Sequence, residues 1–225
     1  MKINQNSVRA LPTYTKKEEL FNSWSHLLCL PLCLALFVVC IVIAARYGGG
    51  FRIASAVLYG LCTIGLYLAS GLYHGAVTPR IKRILQTVDH CTVYFMIAGT
   101  YTPFLFALYC SAPQTAYILL GIEWGVALIA AALTAIDIHK FRIFSKICYG
   151  CLTWLVLIAI PQTVASMPPA GSALLFAGST AYSVGILFFA FGIKKRHMHN
   201  VFHIFIILGT VLHAVGIVGY ALRVS

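Results

Sequence analysis

Seven long apolar blocks constrain the fold of this chain more than any other feature. Each block runs for about 20 residues or more, which is enough for one helix to cross the ~30 Å hydrocarbon core of a bilayer. The blocks cover residues 22–45, 53–77, 87–109, 115–136, 145–166, 172–193 and 199–222. We therefore predict an all-α membrane protein built as a bundle of seven transmembrane helices.

The composition supports a membrane protein with one short polar extension. Hydrophobic residues make up 60% of the 225 residues and charged residues only 9%, whereas a soluble domain carries about 25% charged residues. The polar, basic stretch 1–18 precedes the first block, so we predict a cytoplasmic N-terminal segment 1–18 and a transmembrane domain 19–225. Thr15 is expected to cap a short helix that starts at Lys16 and leads into the first span.

The positive charges fall mainly on one side of the predicted bundle. Thirteen of the 16 lysines and arginines lie in the N-terminal stretch and in the loops after spans two, four and six, and the other side holds Arg46, Arg52 and Arg223. The positive-inside rule then places the N-terminus in the cytoplasm and the C-terminus outside. The net charge of +11 orients the protein and contacts anionic headgroups, so membrane lipids are the expected partners and nucleic acid is not.

Ionisable side chains inside the spans indicate a functional site, because burying them in a membrane is costly. His199 and His203 are four residues apart, hence on one face of a helix at the cytoplasmic start of span seven. His74, near the end of span two, and Asp89, near the start of span three, are expected at the same depth. Three neutral imidazoles with an open fourth position are typical of a catalytic zinc site.

Further polar residues can support such a site. Asp89 could act as the base for a zinc-bound water, and Ser70, one turn from His74, could orient that water or a ligand. A second group, Glu19, Asn22 and His26, has spacings of three and four and therefore shares one helical face that could brace the site. Hydrogen-bonded packing of single histidines, a proton relay, and helix capping by the second group remain open as alternatives.

Three other features are weaker candidates for a functional role. His213 is ten residues past His203, about 15 Å along a helix, so we expect it to form a packing hydrogen bond. Glu123 lies within span four and has no obvious partner in the sequence. The stretch Ala98–Pro103 predicts a break within span three, either as a packing kink or as the lining of a cavity.

Four motifs of this sequence resemble those of a known family. They are ExxNxxxH at Glu19–His26, SxxxH at Ser70–His74, DH followed by AGTYTPF at Asp89–Phe104, and HxxxH at His199–His203. In order, spacing and topology they resemble the bacterial hemolysin III proteins, members of the progestin and adipoQ receptor family, over about residues 18–222. The resemblance implies a seven-helix protein of the bacterial plasma membrane.

The resemblance also implies an intramembrane site. Zinc would be held by His74, His199 and His203, Asp89 would contact the zinc-bound water, and Ser70 would lie nearby. Because the wider superfamily includes alkaline ceramidases, the implied activity is zinc-dependent amide hydrolysis of a sphingolipid-like or other N-acyl lipid, with a role in membrane-lipid homeostasis. The alternatives are a non-catalytic, receptor-like regulator with structural zinc and a cytolytic haemolysin. The last is disfavoured, because the polar residues cluster on one side and do not line a span.

Overall fold

A computed structural model of the protein describes residues 11–12, 14–191 and 195–224. Within these residues the chain forms nine α-helices and no β-strand. The helices are α1 (Lys16–Leu27), α2 (Leu30–Tyr47), α3 (Gly50–Gly75), α4 (Pro79–Ser111), α5 (Pro113–Ile136), α6 (Arg142–Thr153), α7 (Ile160–Ala165), α8 (Pro169–Phe191) and α9 (Met198–Gly219). Short 3₁₀ helices at Leu155–Ala159 and Ala221–Arg223 join α6 to α7 and follow α9.

Seven helical stretches of the described chain are long and apolar enough to cross a membrane, which confirms the predicted fold class. Two of them are composite: α1 with α2 makes the first span, and α6 with α7 makes the fifth. An odd number of spans puts the two ends of the bundle's chain on opposite membrane faces. Which face is cytoplasmic remains the prediction of the positive-inside rule.

The first helix begins as predicted, with Thr15 as its cap. The Thr15 hydroxyl oxygen accepts a hydrogen bond from the backbone N–H of Glu18 (3.3 Å), and the Glu18 carboxylate accepts one from the backbone N–H of Thr15 (2.9 Å). This reciprocal capping box satisfies two N-terminal amides. The helix starts at Lys16, within the predicted segment 1–18, of which residues 1–10 and 13 lie outside the described part of the chain.

Several predicted span limits are wrong, and proline explains two of them. Span three begins at Pro79 and not at 87, because proline suits the first position of a helix, where its missing N–H costs nothing. Span five is interrupted by the 3₁₀ helix Leu155–Ala159, just before Pro161, which cannot donate a hydrogen bond to that turn. The predicted end of span six at 193 lies outside the described residues.

The stretch Ala98–Pro103 does not interrupt the helix as a break would, because α4 continues through Pro103. The Thr102 hydroxyl donates to the carbonyl oxygen of Ala98 (2.7 Å) and accepts from the indole N–H of Trp124 on α5 (3.0 Å). α4 is also the most buried span. Burial of this span against its neighbours therefore stabilises a continuous helix despite the lost backbone bond.

The order of packing brings four helix ends together. α3 packs along α4, α8 packs along α9, and α1 contacts both α3 and α9. The Ser23 hydroxyl of α1 donates to the backbone carbonyl of Gly71 on α3 at 2.8 Å, which fixes the two helices against each other. The starts of α1, α4 and α9 and the end of α3 thus lie at the same face of the bundle, the one predicted to be cytoplasmic.

Candidate metal centre

Three histidines meet at this end of the bundle. His199 and His203 lie on one face in the first turns of α9, and His74 lies one residue before the end of α3. The Nε2 atom of His199 lies 3.1 Å from Nε2 of His74 and 3.2 Å from Nε2 of His203. All three side chains are buried, and one ligand atom from each falls within 4.8 Å of the others, so this group can hold a metal ion.

The geometry of the three histidines fits a cation better than it fits hydrogen bonds. A neutral imidazole nitrogen is either a donor or an acceptor. His199 Nε2 therefore cannot donate to His74 and accept from His203 at the same time, whereas one cation can be shared by all three lone pairs. Ligand bonds of about 2.0–2.1 Å in a tetrahedron place nitrogens about 3.3–3.4 Å apart, close to the distances seen here.

A carboxylate and an ammonium group orient His74. The Nδ1 atom of His74 lies 2.7 Å from Oε2 of Glu19, and Nζ of Lys82 lies 2.8 Å from the other oxygen of Glu19. Lys82 also donates to the carbonyl oxygens of Tyr73, His74 and Ala76 at 3.3–3.4 Å, at the negative end of α3. An Nδ1–H donated to Glu19 leaves the lone pair of Nε2 directed at the other two histidines.

The other two predicted supporting residues, Asn22 and His26, are buried beside the centre. The ring centroid of His26 lies 4.0 Å from that of His203 and 4.8 Å from that of Tyr67. Neither Asn22 nor His26 has a hydrogen-bond partner for its side-chain nitrogen or oxygen atoms among the described residues. Buried polar atoms without partners are unfavourable, so both side chains can receive water or a ligand next to the centre.

Ser70 and Asp89 line a cavity that adjoins the histidines, here called the inner cavity. The Ser70 hydroxyl and the Asp89 carboxyl group thus belong to the wall of one space. His26 and His199 line the same cavity, and most of its remaining wall is apolar, with Leu66, Val93, Met96, Ile97, Ile186, Phe202 and Ile206. Its volume of ≈ 50 Å³ holds about three to five water molecules at 10–15 Å³ each.

A wider space of ≈ 590 Å³, the vestibule, lies on the other side of His199. His199, His90 and Phe189 line both spaces. Tyr14 lines the vestibule and stacks on His199, with ring centroids 4.9 Å apart and an interplanar angle of 22°. Burial, with a smaller effect of Glu19 and Asp89, raises the pKa of the Tyr14 hydroxyl, so this side chain covers the centre without a charge.

The N-terminal segment reaches the centre because Glu18 anchors it. Oε1 of Glu18 accepts a hydrogen bond from the backbone N–H of His197 (2.8 Å), the residue before α9. His197 has φ of 63°, in the left-handed region that side chains other than glycine seldom adopt, and this turn directs α9 back into the bundle. Neither Tyr14 nor Lys82 was predicted as a site residue. Tyr14 lies outside the apolar blocks, and Lys82 entered the sequence argument only as one of the positive charges that orient the protein in the membrane.

Two buried ionisable residues lie apart from the centre, and for His213 this confirms the prediction. Nε2 of His213 donates to the backbone carbonyl of Leu175 on α8 at 3.0 Å, so His213 forms a packing hydrogen bond. Glu123 on α5 is buried, and its Oε1 has no hydrogen-bond partner in the described chain. Neither residue belongs to the group of side chains that can hold a metal ion.

Comparison with known proteins assigns the chain to a family. A profile described as Haemolysin-III related matches residues 14–214. The Hemolysin-3 homolog of Bacillus subtilis (strain 168) is 34% identical over 212 residues, 94% of this chain and 98% of that protein. Hemolysin-3 of Bacillus cereus is 31% identical over 196 residues, 87% of this chain and 88% of that protein. The protein is therefore an integral bacterial membrane protein that belongs to the Haemolysin-III related family.

Proposed function

We propose that the histidine group binds Zn²⁺ and that the protein hydrolyses the amide bond of an N-acyl lipid within the membrane. The observation that carries the proposal is the meeting of three histidine Nε2 atoms beside an apolar cavity that is lined by one of them, His199, and by Ser70 and Asp89. A structural zinc site is normally closed by four protein ligands, whereas catalytic sites keep three ligands and one open position.

The ligand set favours zinc among the common metals. Imidazole nitrogen suits zinc, copper, iron and nickel, while magnesium and calcium prefer oxygen. Among the described residues the group contains His74, His199 and His203 and no carboxylate, which favours zinc over magnesium and calcium. When bound, zinc supplies a Lewis acid that polarises a carbonyl group and acidifies water.

The chain's own residues would divide the remaining work. Glu19 holds the Nδ1 proton of His74 and so keeps Nε2 as a ligand, while Lys82 neutralises the charge of Glu19. Asp89 takes a proton from the attacking water and returns it to the departing amine, which balances the hydrolysis of an amide to a carboxylic acid and an amine. Ser70 orients the Asp89 carboxyl group.

The location of the cavity suggests the substrate class. The inner cavity lies within the bundle beside residues of six spans, and its wall is mainly aliphatic and aromatic. An apolar wall of this kind suits an acyl chain once the bundle opens to admit it, and the polar side chains of Ser70 and Asp89 would then face the amide bond. A sphingolipid-like or other N-acyl lipid that enters from the bilayer fits this arrangement, and membrane-lipid homeostasis is the corresponding role.

The test compares Asp89→Asn with the wild-type protein on a lipid with a labelled N-acyl chain, in the same detergent or bilayer. The variant keeps the three ligands, so its zinc content should equal that of the wild type. Loss of the general base should reduce release of the labelled fatty acid by about 100- to 10,000-fold. Glu123→Gln, which changes a buried carboxylate away from the centre, is the matched control and should hydrolyse normally.

A second candidate, a membrane regulator with a structural metal, is favoured by one observation. The inner cavity of ≈ 50 Å³ is too small for an acyl chain, so a substrate requires the bundle to open. If the wild-type protein binds zinc and releases no fatty acid from any N-acyl lipid tested, and Asp89→Asn leaves the cellular phenotype intact, the regulator is the correct function and hydrolysis is not.

A further inference from the structure

The vestibule is lined by four basic side chains that come from two separate elements. Arg142 and Lys146 are four residues apart, so they lie on one face of α6, while Lys195 and Arg196 belong to the segment before α9. The positive-inside rule accounts for basic residues on this side of the membrane. It does not require that they surround a single concave space of ≈ 590 Å³.

The described lining of the vestibule offers these four cations no free carboxylate. Glu19 pairs with His74 and Lys82, and Glu18 pairs with His197. Glu18 is the one carboxylate among the described residues that line the vestibule, and its two oxygens already accept bonds from His197 and from Thr15. Among the described residues that line the vestibule, four basic side chains therefore accompany a single carboxylate, whose oxygens are already bonded.

Aromatic contacts connect this charge to the candidate metal centre. Nζ of Lys146 lies 4.9 Å from the ring centroid of Phe189, and the ring centroid of Phe189 lies 5.8 Å from that of His199. The vestibule thus ends on the outer side of a proposed zinc ligand. An anion bound between the two basic walls would lie at the mouth of the route to the histidines.

We infer that the vestibule is a binding site for a phosphate group, carried either by an anionic lipid headgroup or by a free phosphate compound. Guanidinium groups bind phosphate oxygens in pairs, and lysine ammonium groups bind them as point charges. Because both pairs of basic residues line the same space, a phosphate group bound there would be attracted by both of them. This site is distinct from the hydrolytic function proposed above and holds whether or not the histidines catalyse a reaction.

The experiment measures binding to the full-length protein in nanodiscs of phosphatidylcholine. One arm titrates inorganic pyrophosphate by calorimetry. The other arm adds phosphatidylglycerol to the nanodiscs. Native mass spectrometry then measures how much of this lipid stays bound to the protein after the protein is released from the nanodisc. The vestibule variant Arg142→Gln/Lys146→Gln should bind its ligand at least about tenfold more weakly than the wild type, because each basic residue near an anionic group contributes strongly to its binding.

The matched control is Arg80→Gln/Arg83→Gln, which removes two charges from the same face of the bundle, at residues of α4 that do not line the vestibule. It should change binding by less than about twofold. Retention of phosphatidylglycerol without competition by pyrophosphate identifies a lipid headgroup as the ligand. Saturable binding of pyrophosphate identifies a free phosphate compound.

Two results would overturn the inference. If the vestibule variant and the control lost ligand affinity equally, the binding would reflect general attraction to a positively charged surface. If the wild-type protein bound neither pyrophosphate nor phosphatidylglycerol, the site would not exist. If thermal unfolding shows that Arg142→Gln/Lys146→Gln is misfolded, Lys195→Gln/Arg196→Gln removes the opposite wall and decides the question by the same comparison.

Discussion

The two ends of α9 carry the same residue type in different surroundings. His199 and His203 at its start share close contacts between their Nε2 atoms and a third imidazole, whereas His213, further along the helix, donates to one backbone carbonyl. All three are buried. His213 shows how a histidine is accommodated in the bundle by one hydrogen bond, so the crowding of lone pairs at the other end requires a different explanation, and a metal ion provides it.

The largest effect that sharpens this comparison is expected from Glu19→Gln. The amide keeps a similar shape but loses the negative charge that holds the Nδ1 proton of His74. Loss of such a partner lowers metal affinity by about 10- to 100-fold, so zinc affinity measured by competition with a chelator should fall by that factor. The matched variant Glu123→Gln changes a buried carboxylate far from the centre. A similar loss of zinc in that variant would contradict the role given to Glu19.

A change beside His213, away from the histidine group, should lower the stability of the protein and leave its zinc content unchanged. A side chain at Gly178 would overlap the ring of His213, so Gly178→Ala must displace the ring and weaken its bond to Leu175. Overpacking of this kind costs about 1–3 kcal/mol. Thermal unfolding in detergent should therefore occur at a lower temperature, with the zinc content unchanged. Loss of zinc would show that the two ends of α9 are coupled.

A smaller effect is expected from removal of the aromatic cover. Tyr14→Ala deletes the ring that stacks on His199. A stacked pair contributes about 0.5–1.5 kcal/mol, so a chelator should remove zinc about two- to tenfold faster. Tyr117→Ala changes an exposed tyrosine on α5 and is the control. Equal chelation rates for wild type and Tyr14→Ala would show that the vestibule is not the route to the centre.

The smallest effect is expected from Lys82→Met. The ammonium group pairs with Glu19 at the edge of the protein, where both side chains keep some contact with solvent. Pairs of this kind contribute little, so zinc affinity should fall by about two- to fivefold, less than for Glu19→Gln. Arg83→Gln, one residue away, should have no effect. If Lys82→Met lowered zinc affinity more than Glu19→Gln does, Lys82 would act mainly through its hydrogen bonds to the carbonyl oxygens at the end of α3.

The seven spans and the three histidines were predictable because both depend on local patterns. Apolar blocks of about 20 residues have few alternatives to a transmembrane helix, and two histidines four apart must share a helical face. The charge distribution then placed His74 at the same depth. The structure agrees with each of these steps, and the three side chains lie together.

What could not be predicted depends on contacts between distant parts of the chain. Lys82 contributes to the positive-inside count, so its pairing with Glu19, 63 positions earlier, has no local signal. Tyr14 precedes the first span, and its position over His199 follows from the bond between Glu18 and His197. Pro103 predicted a break, but packing around α4 outweighs the loss of one backbone hydrogen bond.

The most direct test of the account is the metal content of the purified protein. Wild type, His203→Ala and His213→Ala are purified side by side without added metal and examined by elemental analysis. The account predicts about one zinc per chain in the wild type and in His213→Ala, and almost none in His203→Ala, since one of only three ligands is lost. Freshly purified wild-type protein without zinc, or equal zinc in all three proteins, would contradict it.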